Sequence, residues 1–275
     1  MPPRKVITSV SNPLVKEVVR LHGGGSGSGK TGRPNRRILL EGPHVIGAAL
    51  ESETARIEKL FIAPGAETDA EIAGIVGRAE GLGADVIEVS QAVMRKIVTT
   101  ETPQGAAAVA AIELLSLDAI EPAPDALVVV ADGIQDPGNL GGLVRTAEAA
   151  GASAVVILDG SADPLGPKAV RSSAGSVFFI PVARAAPEAF IAWAKPRGIR
   201  IAGADGRAGG SVWEMSSQGP IALVFGSEGN GLRKPVRGAL DEAVSIPVFG
   251  RAESLNVTAA AAIVIYEIAR KRRMR

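Results

Sequence analysis

Three stretches of the 275-residue chain place polar side chains beside glycines and directly after apolar runs. The first, Asp132-Gly133-Ile134-Gln135-Asp136-Pro137-Gly138-Asn139, continues into LGGLVRTAEAAG and supplies Asn139 and Arg145. The second, LVFGSEGNGL at 223–232, sets Glu228 among three glycines within six residues. The third, IPVFGRAESLNV at 246–257, supplies Ser254 and Asn256. Amides, a hydroxyl and glycine-loop N–H groups can hold a polar ligand without adding charge, while a guanidinium can stabilise a developing oxyanion. Other chemistries lack their residues. With no cysteine there is no thiolate, disulfide, iron–sulfur ligand or cysteine zinc site. Only His22 and His44 offer imidazole and no G-x-S-x-G elbow occurs, which argues against a Ser-His-Asp hydrolase.

Such side chains need rigid supports, and the flanking pattern provides them. Strands are predicted at 126–131, 154–158, 177–182, 199–203, 221–225 and 243–248, with helices at 140–150, 187–195 and 256–270. These strands are continuously apolar, the pattern of a parallel sheet covered on both faces, and ligands of such sheets collect at the carboxyl ends. Asn139 and Ser254 read as N-caps, Leu140, Leu143, Val144 and Ala147 as a buried stripe, and Gly151 as a helix stop. Upstream, a helix at 11–22 precedes a second alternation: strand 37–41, helix 43–50, strand 57–62, helix 69–82, strand 85–89, helix 90–97, strand 106–112. Residues 113–125, with two prolines and four acids, read as a linker. The expected organisation is a smaller α/β domain over 1–112 with a mobile basic Gly/Ser loop at 23–36, then a parallel-sheet domain over 126–275.

The motifs N-x-G-x-x-x-R-T-A, F-G-S-E-G-x-G-L and I-P-x-x-G-x-x-x-S-L-N-V, in this order over 126–270, resemble the three motifs of the SpoU/TrmH class of SPOUT RNA methyltransferases. The first domain, with S-N-P-L-V-K and L-L-E-G-P-H-V-I, resembles the ribosomal-protein-like substrate-binding domain that precedes the catalytic one in many members. The resemblance implies S-adenosylmethionine as donor, an RNA ribose 2′-hydroxyl as acceptor, a trefoil knot around the cofactor, and a homodimer with the site at the interface. It implies cofactor contacts at Phe225, Gly226, Ile246, Pro247, Ser254 and Leu255, and catalytic or RNA-facing roles for Asn139, Arg145, Glu228, Ser254 and Asn256. A guanidinium holds its proton too tightly to be an ordinary general base, so Arg145 is expected to hydrogen-bond the incipient alkoxide or an adjacent phosphate. The added domain leans toward ribosomal rather than transfer RNA. The alternatives are a non-catalytic RNA-binding protein on the same fold and a SPOUT enzyme acting on a base nitrogen.

Net charge is only +1, yet residues 1–40 carry eight cations against Glu17, and Arg270–Arg275 adds five more. RNA contacts are therefore expected from Arg20, Lys30, Arg33, Arg36 and Arg37, and from the basic tail. Gly24–Thr31 also matches G-x-x-x-x-G-K-[ST], but a helix precedes it and Arg33-Pro34-Asn35-Arg36 follows, the wrong context for a phosphate loop. Without a bilayer-length apolar run or a secretory segment at the start, a cytoplasmic protein is expected.

Overall fold

Strands of Ala, Val, Ile and Leu with almost no polar interruption form the centre of each of two units in the computed structural model, which describes residues 4–23 and 36–274. One unit comprises Met1–Glu113 and Leu165–Phe179, the other Leu114–Pro164 and Ile180–Arg275.

The first unit contains β1 (Lys5–Ile7), α1 (Pro13–Val19), β2 (Arg36–Glu41), α2 (Pro43–Glu51), β3 (Ala55–Ile62), α3 (Ala70–Gly81), β4 (Asp85–Val89), α4 (Gln91–Ile97) and β5 (Ala106–Ile112). Its sheet order is β1-β4-β3-β5-β2, with β5 antiparallel to both neighbours and the other pairs parallel. Strand alternation sends Leu39, Phe61, Ile87, Val89, Ala107 and Val109 to one face, where they pack with Val15 and Val18 of α1 and Val93, Met94 and Ile97 of α4. The helix pair α2 and α3 packs against strands of the same sheet. The tract 24–35 holds the phosphate-loop match and most of the expected basic loop, and lies outside the described residues. A 3-10 turn at Arg20–Gly23 comes before it and β2 after, so neither a strand precedes it nor a helix follows.

The second unit contains β6 (Leu127–Asp132), α5 (Pro137–Ala149), β7 (Ala154–Leu158), then α6 (Pro167–Ser172), which belongs to the first unit. It continues with β8 (Val182–Ala185), α7 (Pro187–Ala194), β9 (Arg200–Ala204), β10 (Gly210–Ser211), β11 (Ile221–Gly226), α8 (Lys234–Ala239), β12 (Glu242–Ser245) and α9 (Val257–Arg273). The seven strands run in the order β10-β12-β9-β11-β6-β7-β8, every pair parallel. The expected parallel-sheet α/β class is therefore present.

Several local expectations are corrected. The strand expected at 177–182 starts only at Val182, because Gly175 (φ +87) and Ala174 (φ +50) turn the chain into a 3-10 turn at Ser176–Phe178. Residues 165–179 join the first unit instead of the second. Arg171 of α6 lies 3.0 Å from the buried Glu41 carboxylate, which also accepts from Thr99 N (3.0 Å) and Thr99 Oγ1 (2.7 Å). A buried carboxylate needs such partners, and among the described residues it is this excursion that supplies its cation, Arg171. The expected linker at 113–125 is also ordered: Leu115 N donates to Val182 O at 3.0 Å and Ile120 is buried in the second unit's core. The strand expected at 243–248 ends at Ser245, two residues before Pro247.

The basic tail has a structural task. Arg272 donates from Nε to Ser217 O at 3.0 Å and from Nη2 to Gly219 O at 2.8 Å, and from Nη1 to Asp125 O. Lys271 donates to Trp213 O at 2.7 Å and Met215 O at 2.9 Å. These cations satisfy backbone carbonyls of the 213–219 segment and of Asp125. Arg272→Ala is expected to lower unfolding stability by about 2 kcal/mol in a urea titration, while the salt dependence of RNA binding stays unchanged.

Candidate active site

The three motif stretches meet at the carboxyl ends of β6, β9, β11 and β12, all within the second unit. Helix α5 begins earlier than expected. Pro137 occupies its first turn and Asp136 is the N-cap, its Oδ1 accepting from Asn139 N at 2.9 Å. Asn139 is thereby relieved of capping, and its side chain turns to the site. A parallel correction applies at α9, where the cap is Asn256, whose Oδ1 accepts from Thr258 N at 3.0 Å. Ser254 instead lines the adjacent cavity.

Glu228 is the meeting point. Its Oε1 accepts from Asn139 Nδ2 at 2.9 Å and from Asn256 Nδ2 at 2.8 Å. Asn256 Nδ2 also donates to Asn139 Oδ1 at 3.2 Å, and Thr258 Oγ1 donates to Asn139 O at 3.3 Å. Gly142, three residues after Asn139, gives α9 room to approach: a Cβ there would sit 2.8 Å from Thr258 Cγ2. Each asparagine serves two ends of the network, since an amide both donates and accepts. One Glu228 oxygen is occupied by two amides, and Glu228 is exposed. Oε2 makes no hydrogen bond among the described residues.

Beside this cluster lies a cavity of about 440 Å³ lined by Ala204, Asp205, Arg207, Phe225, Gly226, Ser227, Glu228, Val244, Ile246, Val248, Glu253, Ser254, Leu255, Val257 and Ala260 among others. Of the residues expected to touch a cofactor, Phe225, Gly226, Ile246, Ser254 and Leu255 line it, and Pro247 does not. Asp205, Arg207, Val248 and Glu253 were not anticipated. The signal for Asp205 was present: Ala204-Asp205-Gly206 ends an apolar strand in the same manner as the three motif stretches.

The loop carrying Glu228 is pinned at both ends. Ser227 and Gly231 exchange backbone hydrogen bonds of 3.2 and 2.9 Å. Gly226 pairs with Asp132 across the sheet, and the fully buried Asp132 carboxylate accepts from Arg233 N at 2.8 Å and Arg233 Nε at 2.6 Å. The motif reading missed both Asp132 and Arg233. A Cβ on Gly226 would stand 2.3 Å from Gly231 C and 2.5 Å from Leu232 N, backbone atoms that cannot rotate away.

Arg145 is not part of the cluster. Six positions beyond Asn139, it lies about 9 Å further along the helix and roughly 120° around it. It is exposed, with no hydrogen bond or ion pair among the described residues. Of the RNA-binding expectations, Arg37 is held by Glu17 and by Glu58 (2.6 Å), and together these carboxylates hold its pKa above the ordinary guanidinium value against the opposing effect of burial. Arg36 opens β2 half-buried, Arg20 is exposed after α1, and Lys30 and Arg33 lie outside the described residues.

The geometry has counterparts in known proteins. The model of the SpoU rRNA Methylase family matches residues 126–266, and that of the MRM3-like substrate binding domain matches 12–108. The 23S rRNA (guanosine(2553)-2'-O)-methyltransferase RlmP of Bacillus subtilis is 32% identical over 96% of this chain and 99% of its own length. Among solved structures, an RNA 2'-O ribose methyltransferase aligns with TM-score 0.81 and 32% identity over 98% of this chain and 99% of its own. An AdoMet-bound rRNA methyltransferase from Sinorhizobium meliloti aligns with TM-score 0.83 and 28% identity over 97% and 98%.

Gly226→Ala is expected to displace the 227–232 loop and cost at least about 2 kcal/mol. A lowered thermal midpoint, with loss of the Glu228 contacts in a crystal structure of the variant, is the expected result.

Proposed function

The chain belongs to the SpoU rRNA Methylase family, and from that membership we propose that it methylates a ribose 2′-hydroxyl of ribosomal RNA with S-adenosylmethionine as donor. The observation that carries this reading is the convergence of Asn139, Asn256 and Glu228 beside a cavity fitted to the donor. The donor is cationic at its sulfonium and amino group, and the lining sets Asp205, Glu228 and Glu253 against Arg207 alone. Val244, Ile246, Leu255 and Val257 offer an apolar wall, and a volume of about 440 Å³ is within the range of small-molecule sites. When bound, the cofactor supplies an already electrophilic methyl group, so no metal is required for activation.

What remains for the protein is alignment and care of the hydroxyl proton. Glu228 Oε1 is committed to the two asparagine amides, which leaves Oε2 as the acceptor for a substrate hydroxyl. A hydrogen bond from that hydroxyl to Oε2 orients an oxygen lone pair; as the new C–O bond would form and the methyl–sulfur bond break, the hydroxyl proton would pass to Oε2 and from there to solvent. Orientation of this kind accounts for much of the roughly 7 to 11 kcal/mol available to well-aligned reactions. Phe225, Gly226, Ile246, Ser254 and Leu255 contact the cofactor in this reading; Ser254 keeps its hydroxyl free because Asn256 does the capping.

Arg145 enters from a second copy of the chain. Its separation from the Asn139 cluster supports this, as does a stripe on α9 at helical spacing in which half-buried Ala262 and Ile263 lie between exposed Ala259 and Tyr266. Facing the second copy's site, Arg145 would hydrogen-bond the developing alkoxide. The trefoil knot implied by the motifs belongs to the same reading, as does a cytoplasmic enzyme, since that is where ribosomal RNA is found. Ribosomal RNA is favoured over transfer RNA by the 23S rRNA substrate named for the Bacillus subtilis relative and by the extra domain at 12–108.

The test is incubation with methyl-labelled donor and unmodified ribosomal and transfer RNA. Label is expected in an alkali-resistant dinucleotide of large-subunit rRNA. Label on a base, or only on transfer RNA, contradicts the proposal. Arg145→Ala is expected to reduce turnover at least about a hundredfold while leaving cofactor affinity by calorimetry unchanged.

A further inference from the structure

The two faces of the first unit differ in charge. On the α2/α3 face, Arg78 is taken by Glu51 at 2.8 Å and Arg4 by Glu67 and by Glu80 at 2.9 Å, with Glu71 in excess. On the α1/α4 face, Glu17, Glu58 and Asp85 are matched by Arg37, by Arg56 at 3.7 Å from Glu58, and by Lys59 at 2.9 Å from Asp85. Five further cations remain there: Lys5 of β1, which shares the face of buried Ile7, Lys16 and Arg20 on and just after α1, and Arg95 and Lys96 on α4. All five are exposed and make no hydrogen bond or ion pair among the described residues. The two helices are tied at the same end, because His22 Nε2 lies 2.8 Å from Ile97 O. Arg20 is thereby brought to the end of α4 that carries Arg95 and Lys96. Complementing helix C-termini explains cations in last turns but not Lys5.

We propose that the α1/α4 face is where the first unit holds its RNA, through phosphates rather than bases. This rests on the RNA-methyltransferase reading and adds a specific surface to it. Phosphate binding suits the side chains present: the face offers point charges and forked donors, and the only aromatic residue in its core, Phe61, is buried. Of the RNA-binding residues expected from sequence, it keeps Arg20, replaces the internally paired Arg37, and adds Lys5, Lys16, Arg95 and Lys96.

The experiment compares the full-length protein with its Lys16→Gln/Arg20→Gln/Arg95→Gln/Lys96→Gln variant for binding to an unmodified large-subunit rRNA transcript over a range of salt. The variant is expected to bind at least about tenfold more weakly, with the log–log salt slope flattened by roughly 3. Its donor affinity and thermal midpoint should match wild type, and Arg78→Gln on the opposite face should bind RNA normally. Should the fourfold variant lose stability, each pairwise variant is expected to remove about half of the slope change. Unchanged affinity and slope would overturn the proposal, as would an equal effect from Arg78→Gln. A wild-type protein that binds the transcript with a steep, face-dependent slope yet methylates no RNA would support the surface and overturn the functional reading alone.

Discussion

A single carboxylate oxygen, Glu228 Oε1, receives amide hydrogens from the first turn of one helix and the N-cap of another, more than a hundred residues apart in sequence. Much of the second unit can be understood as the means of bringing those groups together. Asn139 is presented by α5 after β6, Glu228 by the loop after β11, and Asn256 by the cap of α9 after β12. Because β6 and β11 are adjacent and parallel, their carboxyl ends lie side by side. The small Gly142 lets α9 close against α5, and Gly226 lets the Glu228 loop fold back over its own strand. Charge-assisted hydrogen bonds are stronger than neutral ones, so an anionic acceptor suits a junction of three separate chain segments.

The same arrangement explains a division of labour among caps. Had Asn139 and Ser254 capped their helices, as their positions invite, their side chains would be committed to backbone N–H groups. Asp136 and Asn256 take those roles instead. Asn256 does so with Oδ1 while its Nδ2 remains for Glu228. Displacing the cap by three residues at α5 frees Asn139 for the site.

The sheet strands, most helices and the motif residues were legible because continuous apolar runs and strand-end glycines are local signals. The cap assignments were misread although the cue was there: Pro137 suits the first helical turn and Asp136 the position before it. Three features depend on distant partners and left no local trace. The 165–179 excursion joins the first unit through Arg171 and Glu41, the tail cations Lys271 and Arg272 serve carbonyls at 213–219, and Arg37 is neutralised by Glu17 and Glu58. In each case a charge that sequence counts as available to a partner is already used inside its own unit. Short elements such as β1, β10, α6 and α8 fall below the length at which periodicity is informative.

Glu228 organises the acceptor site rather than the fold. Single-turnover methyl transfer to rRNA by Glu228→Gln, at saturating donor and RNA, tests this most directly. The expected rate is about a hundredfold below wild type, with thermal midpoint and donor affinity little changed. A variant transferring methyl groups at the wild-type rate would contradict this role.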